Sequence, residues 1–166
     1  MERPKYNYRS NMSLEERLMM AVIRASEFMK KEASSVIRNY GLTFAQYNAL
    51  RVLDASENGQ NTMTNVSRIM LVSGGNITGI TKRLENRGFL IKKRDPKDDR
   101  INILEITPKG RSALSNISSE KDEKIRMFFS EYSEDEKSYL LLMIKKIIKL
   151  SSQYVELKET YEKHNK

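Results

Sequence analysis

A stretch between Ser73 and Gly88 places short hydrogen-bonding side chains and cations at helical spacing. Carboxamides and hydroxyls of this kind bind base edges, whereas lysine and arginine bind phosphates. The amides left free at a helix N-terminus also favour a phosphate there. This chemistry suits contact with a nucleic acid in its major groove, with the helix N-terminus entering first. The residues that would make the contact are Ser73, Gly75, Asn76, Thr78, Lys82 and Arg83.

The same stretch carries the signals that would hold it as a helix. Ser73 is a good N-cap, because its hydroxyl can accept from a free amide of the first turn, and Gly88 suits the left-handed residue beyond the last turn. On the opposite face, apolar and β-branched residues recur at three-and-four spacing and can pack on a core. These residues are Ile77, Ile80, Thr81 and Leu84.

Two other interpretations of the glycines compete with this one. Glycine inside a helix costs about 1 kcal/mol relative to alanine, so Gly75 and Gly79 are also consistent with a loop. Gly74 and Gly79 have the spacing of a phosphate-binding P-loop, but Ile80 and Thr81 follow where that motif requires lysine and then serine or threonine. No apolar strand leads into the glycines either, which argues against the P-loop.

The residues before Ser73 predict a second, shorter helix. Thr64 can cap a helix over residues 65–71, and only Val72 and Ser73 then separate the two helices. Two short helices joined by so tight a turn form a helix-turn-helix, in which the first helix crosses the DNA backbone. The residues of this helix that we expect to bind the backbone are Thr64, Ser67 and Arg68.

After Gly88 the hydrophobic pattern changes from that of a helix to that of strands. Residues 89–94 and 101–107 have strand composition, and the residues between them are charged and turn-forming. We expect a hairpin, or wing, whose basic tip can reach an adjacent minor groove. The cations of this wing that we expect to bind DNA are Arg94, Lys97 and Arg100.

Four further helices have recognisable starts. A serine or threonine with Glu or Gln three residues later forms a capping box, and threonine before proline also opens a helix. The starts are Ser13, Thr43, Thr107 and Ser133. The first of these helices should stop at Gly41, and the third should run to Tyr132.

The first and last helices carry more apolar residues than one small lobe can cover. In the last helix they repeat as an a/d heptad, the pattern of a helix that packs on another helix. We expect both helices to be buried against a second copy of the chain, although packing of the last helix on the first within one chain is the alternative. The residues expected at the interface are Leu14, Leu18, Leu140, Met143, Ile147, Leu150 and Tyr154.

The composition bounds the remaining functions. The 166 residues contain no cysteine and one histidine, His164, so the chain offers no disulfide, no thiolate metal site and no promising histidine-based catalytic triad. We therefore expect no metal and no cofactor. No apolar run is long enough to cross a membrane, and we expect a cytoplasmic protein.

The positive charge is concentrated around the predicted helix-turn-helix and wing. The net charge is +8, and residues 73–110 hold nine lysines and arginines against five acidic residues, whereas residues 111–166 hold eleven against ten. Such a basic region is typical of a protein that binds nucleic acid, although an ordinary solvated face can also be basic.

Several motifs, in this order along the chain, resemble the MarR family of winged-helix regulators. Residues 42–50, LTFAQYNAL, are similar to the family's "LT..Q...L" segment. Residues 73–78, SGGNIT, and 84–90, LENRGFL, are similar to its reading helix and the exit from that helix. Residues 94–100, RDPKDDR, and 106–110, ITPKG, are similar to its wing and the close of the wing.

The resemblance covers most of the chain and implies a homodimer that binds a pseudo-palindromic operator in double-stranded DNA. It places Arg100 in the minor groove, with Asp98 as its partner in the wing. Asp99 and Gly79 depart from the family pattern, which bears on base preference and on the affinity of the wing. Many family members release DNA when a small aromatic or other organic acid binds between their lobes, and the sequence leaves open whether this chain has such an effector.

Together these observations predict a mainly α protein with a small β wing. A winged helix-turn-helix lobe, residues 43–110, would bind DNA, and a helical lobe, residues 13–42 and 111–162, would form the dimer. The expected function is that of a sequence-specific transcription repressor and not of an enzyme. The alternative is a helical dimerisation or adaptor module that binds DNA without sequence choice, and competition with unrelated duplex would separate the two.

Overall fold

The computed structural model describes residues 12–164, without the side chains at positions 119, 151, 152 and 154–164. Its helices and strands are α1 Leu14–Asn39, α2 Phe44–Asp54, β1 Gln60–Thr62, α3 Met63–Ile69, α4 Gly74–Asn86, β2 Leu90–Arg94, β3 Asn102–Ile106, α5 Pro108–Phe128 and α6 Glu134–His164. A short 3-10 turn, Glu57–Gly59, precedes β1. The predicted fold class, mainly α with a small β wing, is confirmed.

The strands form one antiparallel sheet in the order β1-β3-β2. β2 and β3 make the expected hairpin, with Leu90 opposite Ile106. The sequence does not predict β1, because its three residues are polar and too few to show alternation. β1 forms because the free edge of β3 supplies backbone hydrogen-bond partners, and Gln60 comes to lie opposite Glu105.

One hydrophobic core lies between residues 36 and 117. α1 contributes Val36 and Ile37 from near its C-terminus, while α2, α4 and the sheet contribute most of the rest. The apolar face predicted for α4 is part of this core. The fully buried side chains include Ile37, Leu42, Leu50, Leu53, Ile77, Leu84, Leu90, Leu104 and Ile117.

Capping boxes start α2 and α6 as predicted. The Thr43 hydroxyl accepts from the Gln46 amide at 3.2 Å, and the Gln46 side chain accepts from the Thr43 amide at 2.9 Å. Ser133 and Glu136 exchange the same pair of bonds at 3.3 and 2.8 Å. Ser13 caps α1 through its hydroxyl.

The cap of α3 is Thr62 and not Thr64, so that prediction was wrong. The Thr62 hydroxyl accepts from the Asn65 amide at 3.2 Å, whereas Thr64 is exposed inside the first turn of α3. Pairing with β3 holds Thr62 extended, at φ −71° and ψ 147°, and this is the conformation an N-cap needs. The helix therefore starts two residues earlier than its sequence suggests.

α5 begins as predicted, because the Thr107 hydroxyl accepts from the Gly110 amide at 3.1 Å. It ends at Phe128 rather than at the predicted Tyr132. The amides of Phe129 and Tyr132 donate to carbonyls only three residues back, which is a series of tight turns and not a continued α-helix.

The chain divides into two compact units, Met1–Lys121 and Asp122–Lys166. Among the described side chains, every buried one belongs to the first unit. The assignment of residues 43–110 to one lobe and of residues 13–42 and 111–162 to another stays a prediction. Within the described residues, no helix combines the length and the apolar character needed to cross a membrane.

The residues predicted for a dimer interface lie on α1 and α6. Those that are exposed are Leu14, Leu18, Leu140, Ile147 and Leu150. Met143 is half-buried. Tyr154 belongs to α6, but its side chain lies outside the described part of the structure.

Candidate nucleic-acid interface

The helix α4 has one face in the core and one at the surface. The buried face is held further by the Thr81 hydroxyl, which donates to the Ile77 carbonyl at 2.9 Å. The opposite face is exposed over several turns, and it is therefore presented to solvent on a firmly packed support. The exposed residues of this face are Gly74, Gly75, Asn76, Thr78, Lys82 and Arg83.

The first turn of α4 is almost bare of side chains. Ser73 caps it, with its hydroxyl 3.4 Å from the Asn76 amide nitrogen. Apart from the adjacent residues and the helix's own backbone, a Cβ placed at Gly74 or Gly75 would have no atom within 4 Å, so the fold itself does not require glycine at either position. Among the residues that the structure describes, none engages the side-chain carboxamide of Asn76. Free amides and a free carboxamide thus meet at an open helix N-terminus, which suits a phosphate and a base edge.

Further along α4, the structure explains one departure from the family pattern. The Arg83 Nε donates to the Gly79 carbonyl at 3.0 Å, and a Cβ at Gly79 would lie 3.3 Å from the Arg83 guanidinium. Glycine therefore leaves room for the arginine to lie back along the helix. The Thr78 hydroxyl is also used locally, because it donates to the Gly74 carbonyl at 2.9 Å.

The turn between α3 and α4 is fixed by hydrogen bonds and by one left-handed residue. The Ser67 hydroxyl donates to the Val72 carbonyl at 2.6 Å, and the Val72 amide donates to the Ser67 carbonyl at 3.1 Å. Leu71 takes a positive φ of 53° and is 72% exposed. Ser67 therefore sets the geometry of the helix-turn-helix, and its contact with DNA stays a prediction. Arg68 is exposed, and its Nη2 donates to the Asn65 side-chain oxygen at 2.8 Å.

The wing tip is organised around two arginines. The Arg100 Nε and Nη2 donate to the Asp98 carboxylate at 3.0 and 3.1 Å, and its side chain is 90% exposed. These bonds, with one from the Arg100 amide, hold the pKa of the Asp98 carboxyl below its ordinary value, and Asp98 in turn raises the pKa of the Arg100 guanidinium. Arg94 donates to the Asp99 carbonyl at 2.6 Å and so braces the tip. Lys97 is exposed beside them.

Comparison with known proteins assigns the chain to a family. The family model described as transcriptional regulator SarA/Rot matches residues 31–117, which is more than half of the chain. The chain belongs to the SarA/Rot family of transcriptional regulators. A relative in Bacillus subtilis (strain 168), the uncharacterized HTH-type transcriptional regulator YkoM, is 40% identical over 80 residues, which cover 48% of this chain and only 51% of that protein.

Solved structures show that this SarA/Rot regulator has the MarR fold. Sco3205, a MarR family transcriptional regulator from Streptomyces coelicolor solved in complex with DNA, matches with a TM-score of 0.74 and 17% identity, over 86% of this chain and 91% of that one. NadR in complex with 4-hydroxyphenylacetate matches with a TM-score of 0.69 and 20% identity, over 87% and 96% of the two chains. The predicted resemblance to the MarR family is confirmed.

Part of the cationic excess in the SarA/Rot regulator is structural. Arg87 donates to the Gly41 carbonyl at 2.6 Å, and Lys109 donates to the Arg87 carbonyl at 2.7 Å. Both cations also lie over the ring of Phe89, at 4.8 and 5.0 Å from its centre. These two residues tie the end of α4 to the end of α1 and to the start of α5, and the sequence did not predict this role.

Among the other cations of this region, Lys93 pairs with Glu105 across the sheet. Lys82, Lys92 and Lys97 are exposed and form no ion pair with any described residue. Lys92 was not among the predicted DNA-binding residues. Lys92 could have been predicted from the sequence as a further candidate, because the two-residue period of a strand puts it on the same side of β2 as Arg94.

The SarA/Rot regulator offers no metal site in the part of the chain that the structure describes, since no three histidine, aspartate or glutamate side chains cluster there. Its relatives and structural neighbours are transcriptional regulators. The geometry that the structure does provide is an exposed helix face beside an organised basic wing.

Proposed function

We propose that this chain is a homodimeric, sequence-specific repressor of transcription that binds a pseudo-palindromic operator in double-stranded DNA. The observation that carries the proposal is the outer face of α4, where the Asn76 carboxamide is unengaged by the described residues beside the bare turn of Gly74 and Gly75. A helix presented in this way can enter the major groove and hydrogen-bond base edges. The structural neighbour Sco3205 was solved in complex with DNA, which supports DNA as the partner of this chain.

In this mode the exposed side chains divide by role. Asn76 and Thr78 lie near the start of α4 and would read bases, whereas Lys82 and Arg83 lie further along and would bind phosphates. Thr64 and Arg68 would bind the backbone from α3, and Ser67 would join them only by releasing the Val72 carbonyl to which its hydroxyl donates. In the wing, Arg100 would enter the minor groove, with Arg94 and Lys97 beside it.

The proposal is tested by selecting duplexes from a random pool and locating the bound site by footprinting. A regulator should prefer its selected site over random duplex by at least about 10³. Equal affinity for both duplexes would favour the alternative, an adaptor module that binds DNA without sequence choice. A reporter gene placed behind the selected site should be expressed less in the presence of the protein, and increased expression would identify an activator.

Two substitutions in α4 test the division of roles. Asn76→Ala should lower the ratio of specific to non-specific binding by about 1–3 kcal/mol per half-site. Lys82→Ala should weaken both kinds of binding alike and flatten the salt dependence by about one unit per monomer. Lys145→Ala, at an exposed lysine of α6, is the matched control and should change neither. If Asn76→Ala weakens both duplexes equally, the first turn of α4 binds only the backbone.

The homodimer is proposed from the exposed apolar residues of α1 and α6. Leu18 is 55% exposed and Leu150 is 57% exposed, and such residues are normally covered by another surface when they cluster. Light scattering at micromolar concentration should give the mass of a dimer, and Leu150→Glu should shift it towards a monomer. Lys145→Glu adds a carboxylate at an exposed position on the side of α6 away from the predicted heptad and should leave the dimer intact. A monomeric natural chain would overturn the proposed assembly.

A small aromatic or organic acid is proposed as the effector, because NadR was solved with 4-hydroxyphenylacetate. Titrating 4-hydroxyphenylacetate and salicylate into the complex with the selected duplex should release the DNA. Acetate serves as the control for charge alone. If neither aromatic acid changes the affinity for DNA, the proposed effector class is wrong, while the DNA-binding function stands.

A further inference from the structure

The cation Arg68 on α3 is the outer end of a chain of hydrogen bonds that runs into the protein. Its Nη2 donates to the Asn65 side-chain oxygen at 2.8 Å, and the Asn65 nitrogen donates to the Asn61 side-chain oxygen at 2.8 Å. The Asn61 nitrogen donates to the Ser56 hydroxyl at 2.8 Å, and that hydroxyl donates to the Val52 carbonyl at 2.7 Å. The chain thus joins an exposed guanidinium to the core helix α2.

The inner end of this series of hydrogen bonds is held by several contacts. The Asn61 oxygen also accepts from the Thr62 amide at 2.9 Å, so the Asn61 carboxamide uses both of its ends. Asn61, Asn65 and Ser56 are half-buried, where hydrogen bonds compete less with water than at the open surface. Next to Val52, the side chain of Leu53 is completely buried in the core.

α3 does not need the outer part of this series of hydrogen bonds in order to fold. The Thr62 hydroxyl already caps the helix by accepting from the Asn65 amide. Alanine at position 65 would suit a helix better than asparagine, because asparagine competes for local hydrogen bonds. The contact between Asn65 and Arg68 therefore calls for an explanation outside folding.

We infer that Asn65, supported by Asn61, is a positioning residue that holds the Arg68 guanidinium ready to bind a DNA phosphate. The guanidinium has five N–H donors and spends one of its nitrogens on Asn65, so donors remain for a phosphate oxygen. An arginine that is already ordered loses less rotamer freedom when it binds. This inference rests on the proposed function, in which α3 crosses the DNA backbone.

The test is a double-mutant cycle on binding to two duplexes, the selected operator and a random duplex of the same length, each across a salt series. Asn65→Ala should weaken binding to both by about two- to tenfold with an unchanged salt dependence, because the charge remains but must be ordered. Arg68→Ala should weaken both and flatten the salt dependence by about one unit per monomer. In the Arg68→Ala background, Asn65→Ala should have no further effect.

Two controls separate positioning from folding. The thermal midpoint of Asn65→Ala should be no lower than that of the natural chain, and Asn39→Ala, at an exposed asparagine of α1, should bind DNA normally. The inference is overturned if Asn65→Ala binds as the natural chain does, or if it weakens binding equally with and without Arg68. It is also overturned if Arg68→Ala leaves the salt dependence unchanged. A natural chain that prefers no duplex would instead overturn the proposed sequence-specific function, and the cycle on random duplex would still decide the role of Asn65.

Discussion

The segment 36–117 and the helix α6 use their apolar side chains in opposite ways. In the first, residues such as Leu50 and Leu84 are 0% exposed and pack into one core. In α6, Leu142 and Leu150 are 58% and 57% exposed, and no described side chain of Asp122–Lys166 is buried. The first region buries most of its large apolar side chains itself, whereas the second presents an apolar surface that another protein surface could cover.

Polar side chains show the same contrast. Within the segment 36–117, Arg87 reaches the Gly41 carbonyl and Arg111 pairs with Asp54, so residues far apart in sequence hold the elements together. At the start of α6, by contrast, the polar contacts join near neighbours, such as Lys137 with Glu134 at 2.8 Å. The proposed DNA-binding surface is therefore supported by tertiary contacts, whereas the start of α6 is stabilised within its own first turn.

The largest expected effect tests the contrast in burial. Leu84→Ala should lower the free energy of unfolding by about 2–5 kcal/mol, because it empties a fully buried site. Leu150→Ala should matter only at protein concentrations at which the proposed dimer forms. Urea titrations at a low and a high protein concentration measure both effects. A large loss for Leu150→Ala at the low concentration would show that α6 is buried within one chain, and the contrast would fail.

The next effect compares two glycines inside the winged-helix segment. Gly110→Ala should destabilise the protein by about 1–3 kcal/mol, because the new Cβ would lie 2.3 Å from the Phe89 carbonyl oxygen. Gly75→Ala should stabilise it by about 0.5–1 kcal/mol, because that position is helical and open. In thermal unfolding, Gly110→Ala should lower the midpoint and Gly75→Ala should raise it. We also expect Gly75→Ala to weaken DNA binding, and normal binding by the stabilised variant would mean that DNA does not approach this turn closely.

A smaller effect concerns the wing. Arg100→Ala should weaken binding to the selected duplex by about tenfold, or about 1.4 kcal/mol, without changing the thermal midpoint, because its side chain is 90% exposed. Gel-shift titration and thermal unfolding of the same preparation measure the two quantities. Lys145→Ala in α6 is again the control. Unchanged affinity would remove the proposed minor-groove contact of Arg100.

The smallest expected effect is the pH dependence contributed by two carboxyl groups, Asp98 in the segment 36–117 and Glu136 in α6. Arg100 lowers the pKa of Asp98 in the wing, and bonds with Ser133, above all from its amide, lower the pKa of Glu136 at the start of α6. Since both pKa values are lowered, each interaction is fully present above the ordinary range of a carboxyl and is lost as the pH falls through the lowered pKa. DNA affinity should therefore show no loss from these groups between about pH 8 and pH 6.

NMR titration of the two side-chain carboxyl carbons provides the measurement. Asp98 should titrate at higher pH in Arg100→Ala, and Glu136 should titrate at higher pH in Ser133→Ala. If Asp98 titrates normally in the natural chain, the pair with Arg100 does not form in solution, and the wing tip is held mainly by Arg94.

Local signals in the sequence were sufficient for much of the fold. The caps at Thr43, Ser73 and Ser133 involve residues three apart, so their geometry follows from the chain itself. The wing hairpin and the inner face of α4 followed in the same way from the hydrophobic period. The roles of the DNA-binding residues are still predictions, because neither fold nor family tests them side chain by side chain.

Contacts between distant residues were beyond such signals. Thr62 became the cap of α3 because β1 pairs with β3, and no pattern in three polar residues announces a strand. Arg87 and Lys109 contribute to the basic excess of residues 73–110 in the sequence, but in the structure they contact the Gly41 carbonyl, the Arg87 carbonyl and the ring of Phe89.

The sequence by itself therefore determined where most helices begin, which face of α4 turns inward, and the MarR-like order of the elements. Only the tertiary structure decided which cations remain open, where β1 joins the sheet, and that Arg68 is held by Asn65. The physical reason is the sequence separation of the interacting residues. A helix cap or a periodic helix face depends on residues within one or two turns of each other. The partner of an arginine depends on which distant carbonyl or carboxamide the fold brings within hydrogen-bonding distance.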